Sequence, residues 1–111
     1  MDKAIIGRIV ESGEIEINDR IYKITKMSHK NRLKIFGYFS SIRTNLQNND
    51  MSYLGTDEFL KIQDIIFKHV LFNDSTLERI DNHFDKYGAD FLQLIAFSLM
   101  AFSYPFMQGL N

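Results

Sequence analysis

The chain has 111 residues, with 13 Lys and Arg against 14 Asp and Glu, a formal net charge of −1 and no cysteine. That length allows one domain around one hydrophobic core, and 45% hydrophobic with 24% charged residues excludes wholesale disorder. The absence of cysteine excludes a disulfide framework, a thiolate metal site and a thiol nucleophile, and fits an intracellular, reducing setting. The segment from Met1 to Arg8 lacks the sustained apolar run of a signal peptide.

The charge is unevenly placed. Residues 1–50 carry nine Lys and Arg and six Asp and Glu, whereas residues 51–111 carry four and eight. From Lys26 to Arg43 there are five basic residues, including Lys30, Arg32 and Lys34, and no acid. Such a stretch is either a solvated helix face or a contact surface for something acidic.

In chain order, Glu14-Ile15-Glu16-Ile17 and Arg20-Ile21-Tyr22-Lys23-Ile24 alternate with period two around Asn18-Asp19, which predicts a β-hairpin with a two-residue turn. That turn sets Ile17 opposite Arg20 and Ile15 opposite Tyr22, placing Ile15, Ile17, Tyr22 and Ile24 on one face. Ile5–Val10 is read as a third strand, with Ser12-Gly13 as its turn. Ser28 is the expected N-cap of a helix running to about Gln47, with Leu33, Phe36 and Phe39, or Ile35, Phe39, Ile42 and Leu46, at helical spacing and a basic opposite face. Residues 47–50 and Gly55 mark a loop. Thr56 caps the next helix, on which Phe59, Ile62, Ile66, Val70 and Leu71 face inward and the Asp57/Lys61 and Asp64/Lys68 pairs face water. Ser75-Thr76-Leu77-Glu78 reads as a capping box opening a helix through Leu77, Ile80, Phe84 and Tyr87, with Gly88 at its C-cap. Asp90 is the expected N-cap of a last helix ending near Tyr104, before Pro105.

That last helix is the most unusual element. Its polar residues Gln93, Ser98 and Ser103 fall at about 0°, 140° and 280° around the axis, so it has no polar face and must be enclosed by protein or lipid. Phe91–Met107 is interrupted and shorter than the roughly 20 apolar residues of a membrane span, so protein is the expected environment. Few other elements remain to cover its aromatic end. Phe97, Phe102, Tyr104, Pro105, Phe106 and Met107 are therefore the candidate protein-interaction residues, through self-association or a partner. Lys30, Arg32, Lys34 and Arg43 are the candidate electrostatic contact.

The chain carries none of the common catalytic signatures. His29, His69 and His83 are far apart, and Asp81, His83 and Asp85 occupy alternate positions that a helix points in different directions, a solvated face. Phosphate-binding glycine loops and GxSxG are absent, and the carboxylates are expected on polar faces. No catalytic residue, cofactor or metal is expected. Nucleic acid is the stronger rival, with Lys26, Lys30, Arg32 and Lys34 for phosphates and Tyr38 or Phe39 for stacking, although a pI near 6.3 lacks the usual basic footprint.

The expected fold is thus a single mainly helical α+β domain spanning 1–111, with a hairpin region at 1–25, of two strands or three, and three or four packed helices at 26–111. The order of elements resembles the tail assembly chaperones of tailed bacteriophages. The passages that carry the resemblance are the hairpin leading into a helix through Ile21-Tyr22-Lys23-Ile24-Thr25-Lys26-Met27-Ser28, the segment His83-Phe84-Asp85, and the apolar close Tyr104-Pro105-Phe106-Met107-Gln108-Gly109. The resemblance implies a non-enzymatic cytoplasmic protein, absent from the finished virion. Such a protein coats the long helical tape-measure protein, keeps it soluble and helps recruit tail-tube subunits. In many phages a longer form arises by ribosomal frameshifting. Another small phage structural or adaptor protein is the alternative.

Overall fold

A computed structural model describes residues 3–108. It is mainly helical, with a small antiparallel sheet, and its elements run α1 (Lys3–Ser12), β1 (Glu14–Ile17), β2 (Arg20–Ile24), α2 (His29–Gln47), α3 (Asp57–Phe67), β3 (Val70–Phe72), β4 (Ser75–Thr76), α4 (His83–Lys86) and α5 (Phe91–Gln108). Short 3₁₀ turns occupy Leu77–Arg79 and Gly88–Asp90.

The hairpin has the register set by its turn. Ile15 pairs with Tyr22 and Ile17 with Arg20. Asn18 and Asp19 take φ of 48° and 66°, the left-handed conformation that a two-residue turn requires and that Asn and Asp tolerate. Ile15, Ile17 and Tyr22 are buried.

The expected third strand at Ile5–Val10 is instead part of α1. Ile6 and Ile9, one helical turn apart, are buried, and Val10 is exposed. β-branched composition favours a strand only weakly against packing of an apolar helical stripe. Ser12-Gly13 is not a hairpin turn: Gly13, at φ 73°, stops α1 in the left-handed conformation, with its N–H bonded to the Ile9 carbonyl at 2.8 Å.

The middle of the chain follows its caps. The Ser28 hydroxyl accepts the Asn31 N–H and Thr56 Oγ1 accepts the Phe59 N–H. Ile35, Tyr38, Phe39 and Ile42 are the buried side of α2, and Phe59, Ile62 and Ile66 that of α3. Val70 and Leu71 do not extend α3. With Phe72 they form β3, which pairs with β2, and β4 completes a sheet of order β1-β2-β3-β4. The turn between β3 and β4 is again Asn-Asp: Asn73 and Asp74 have φ of 50° and 66°. The hairpin lies within residues 1–25 as expected, but α1 precedes it there, and β3 and β4 lie within the otherwise helical remainder. The capping box at Ser75 opens no long helix, because Ser75 and Thr76 are in the sheet and Ile80 is extended. Asn82, at φ 62°, separates the 3₁₀ turn from α4. Gly88 begins a 3₁₀ turn instead of capping a helix.

The central element is α5, packed against α1, α2 and β1. Leu94, Ile95, Ser98, Leu99, Ala101, Phe102 and Ser103 are buried, so even its serines face protein. Residues 88–108 form the one segment, among those described, long and apolar enough to cross a bilayer, and 44% of its most apolar window is buried inside the protein. Pro105 lies within α5 instead of ending it. An interior proline costs about 3 kcal/mol, offset here by packing beyond it: the Phe106 ring stacks on Phe36 with centroids 5.2 Å apart. Pro105→Ala restores a backbone donor at an exposed site, and is expected to raise the urea midpoint of unfolding by an amount equivalent to roughly 1–3 kcal/mol.

Candidate functional site

Two features stand out: a buried polar cluster where the hairpin meets α5, and an apolar groove between α2 and α5.

The cluster is centred on Asp90, which is fully buried. Arg20 reaches it from the hairpin with two bonds, Nε to Oδ2 at 2.6 Å and Nη2 to Oδ1 at 2.8 Å. Tyr22 donates its hydroxyl to Oδ2 at 2.6 Å, and Asn18 Nδ2 donates to Oδ1 at 2.8 Å. Because the Tyr22 proton is committed to Asp90, the 2.8 Å contact between Tyr22 OH and His83 Nε2 requires His83 to donate from Nε2. The Arg20 guanidinium also lies 4.2 Å from the Tyr87 ring centroid, a cation–π contact. His83 is enclosed by Tyr22, Phe72, Phe84 and Tyr87, with ring centroids 4.7–5.5 Å away.

Neither Asp90 nor His83 was expected in such a setting. Asp90 was read as an N-cap and His83 as part of a solvated face; Asp81 and Asp85 are exposed, but His83 is buried. The inward position of Arg20 follows from its register opposite Ile17, and that was the available signal. Four donors occupy the carboxylate, which has about four acceptor sites. It binds and positions, and offers no free lone pair to a reacting proton.

The electrostatics follow. Hydrogen bonding from Arg20 holds the Asp90 carboxyl well below the usual carboxylate range, against the opposing effect of burial. Burial, and then the bond to Asp90, push Tyr22 well above its ordinary value. Burial lowers His83.

The groove is about 440 Å³ in volume. Its apolar wall comprises Phe39, Leu46, Met51, Tyr53, Leu92, Ala96, Met100 and Met107, and its polar members are Arg43, Gln47 and Asn49. Leu92 and Met51 are 45% and 43% exposed. The loop carrying Met51 is fixed by Asp50, which accepts the Ser52 N–H at 3.0 Å and Asn45 Nδ2 at 3.2 Å. Those bonds, the backbone one first, lower the Asp50 pKa.

The expected interaction residues separate. Phe102 is in the core. Phe97 is half-buried against the core, and the Tyr104 hydroxyl lies 3.6 Å from where a Cβ on Gly7 would stand, over α1. Phe106 packs on Phe36 and His29. Pro105 is exposed, and Met107 lines the groove. The basic residues also divide: Lys30 and Lys34 share an exposed face of α2, Arg32 is half-buried, and Arg43 lies in the groove. Leu92, Ala96, Met100 and Met51 were not singled out by sequence, although the first three recur every four residues along α5.

Two adjoining depressions of about 290 and 550 Å³ flank α3 and the segment 77–85. Phe67, Leu77 and Ile80 line both. The charged lining is Asp64, Glu78, Asp81 and Asp85, with Lys68.

Removing Asp90 tests the cluster. Asp90→Ala leaves Arg20, Tyr22 and Asn18 without their acceptor and is expected to cost about 3–5 kcal/mol in chemical denaturation. The pH dependence has a definite sign. A histidine with a lowered folded pKa contributes full stability above its ordinary 6.5 and loses it as the pH falls below. Asp90 contributes above the ordinary 3.8 and loses it in stronger acid. Tyr22 contributes below its ordinary 10 and loses it as the pH rises through that value. Stability should therefore be greatest between about pH 6.5 and 10, and His83→Phe should remove the loss that sets in as the pH falls below 6.5, measured by urea denaturation across pH.

Comparison of the chain with protein-family models, with curated proteins and with solved structures finds no match.

Proposed function

We propose that this chain is a non-enzymatic chaperone of phage tail assembly. It binds helical segments of the tape-measure protein in the groove between α2 and α5, keeps that client soluble in the host cytoplasm, and assists assembly of the tail tube. The observation that carries the proposal is the groove itself. Three methionines, Met51, Met100 and Met107, line it with Leu92 and Ala96, and flexible thioether side chains accommodate varied apolar partners. A groove of this kind takes the apolar face of an amphipathic helix through anchors at three- and four-residue spacing. Arg43, the one charged residue lining it among the described residues, favours a client with a carboxylate beside its apolar stripe. A long helical client supplies many such segments, and its apolar faces need cover until they are packed.

The element order and the three passages that resemble tail assembly chaperones support the same reading. The separation of Lys30 and Lys34 from Arg43, and the burial of Phe39, speak against a continuous nucleic-acid track.

Co-expression with a very long helical protein encoded immediately downstream is the direct test. The client is expected to move into the soluble fraction with the wild-type chain and to co-purify with it. Met100→Glu places a carboxylate in the apolar wall and is expected to weaken binding more than about tenfold, since one buried apolar side chain is worth about 1.5–3 kcal/mol. A client equally insoluble with and without the wild-type chain would defeat the proposal, and salt-sensitive binding of duplex DNA in its place would favour a nucleic-acid module.

A further inference from the structure

We propose that the groove between α2 and α5 is a reversible oxidation site, in which a peroxide converts Met51, Met100 and Met107 to sulfoxides and so switches off client binding. The inference rests on the groove being the client site. With no cysteine in the chain, methionine holds all of its sulfur, and the five methionines are unevenly placed. Met27 is in the core at 6% exposure, and Met1 lies outside the described residues. The other three all line the groove. Met51 is 43% exposed, and Met100 and Met107 are half-buried. Oxidation follows access, so a peroxide meets the groove thioethers before it meets Met27.

In the reaction the thioether sulfur attacks one peroxide oxygen. An S–O bond forms as the O–O bond breaks, and the second oxygen leaves with both protons as water. Sulfur loses two electrons and the peroxide gains them. The side chain keeps nearly the same length, so the change falls on polarity and not on shape. In the free chain the new oxygen is solvated, because the groove is open. A docked apolar helix face covers it, and an oxygen acceptor buried without a donor weakens association by about tenfold or more. Met51 comes from the loop after α2, and Met100 and Met107 come from α5, so the change is not confined to one wall. Return needs a dithiol from outside. It gives two electrons and two protons to the sulfoxide, water leaves, and a disulfide remains on the donor. Without cysteine, this chain supplies no such group itself.

Hydrogen peroxide titration tests it, read by client binding and by an anionic apolar dye, 1-anilinonaphthalene-8-sulfonate, whose rings suit the groove wall and whose sulfonate suits Arg43. Peptide mass mapping is expected to place oxygen on Met51 first and then on Met100 and Met107, with Met27 unmodified and the far-UV circular dichroism unchanged. At that stage client binding and dye binding are each expected to fall by about tenfold or more. Methionine sulfoxide reductases supplied with a dithiol should restore both. The triple variant Met51→Leu, Met100→Leu, Met107→Leu keeps the wall apolar at similar volume, so its binding should persist and resist peroxide. Undiminished dye binding by the sulfoxide form, oxidation of Met27 alongside the other three, or a leucine variant that loses binding in peroxide as the wild type does would each overturn the proposal. A chain that binds the dye but no client defeats the chaperone reading alone, and the dye then decides the oxidation site. A chain that binds neither overturns both.

Discussion

One carboxylate holds the two ends of the fold together. Asp90 immediately precedes α5, and its partners Asn18, Arg20 and Tyr22 sit on the hairpin, 68–72 residues away in sequence. A fully buried charge is costly unless every acceptor site is used, and here each oxygen receives two bonds. The requirement is demanding in geometry: only one placement of the hairpin against the start of α5 satisfies all four. A wholly apolar contact would tolerate sliding of α5 along the sheet, whereas the cluster fixes where that helix begins. Its negative charge at the helix N-terminus is favourable as well.

The position of α5 in turn decides what is left exposed. Its aromatic C-terminal half runs beside α1, where Tyr104 lies over Gly7, and along α2, where Phe106 meets Phe36 and His29. The helix therefore gains the cover that an N-terminal strand would not have supplied. Further along, α2 and α5 do not close on each other around Leu92, Ala96 and Met100, and the loop carrying Met51 borders the opening. The apolar surplus of the sequence is real, but it emerges at the groove wall and not at the aromatic end.

How much of this was legible depends on the range of the interaction. The hairpin register and the Ser28 and Thr56 caps are set within a few residues, and reading them from sequence gives the observed pairings and helix starts. The second Asn-Asp turn, at Asn73, carries the same signal as the first. It was obscured because Phe59, Ile62, Ile66 and Val70 continue a helical spacing into what is a strand, a short apolar run being ambiguous between the two. For α1 the β-branched isoleucines pointed to a strand, while Gly13 marked a helix end. The Asp90 cluster was out of reach in a different way. A local motif made Asp90 an N-cap, and nothing local announces that an arginine some seventy residues earlier will claim it. Only the inward register of Arg20, a charge on the buried face of a hairpin, hinted that an acid must be waiting.

Binding surfaces made of side chains from separate elements are effective only when those elements are held before the partner arrives, because ordering them on binding subtracts from affinity. The groove draws on α2, α5 and the loop between α2 and α3. The Asp50 bonds order the loop, the Phe36–Phe106 stack ties the end of α5 to α2, and the Asp90 cluster anchors its start. Each wall is thus fixed by contacts that lie outside the groove, leaving the methionines as its adaptable part. A rigid frame with soft lining suits the proposed chaperone role, in which the groove would persist without a client and would accept helices of differing sequence by adjustment of its side chains and not of its backbone.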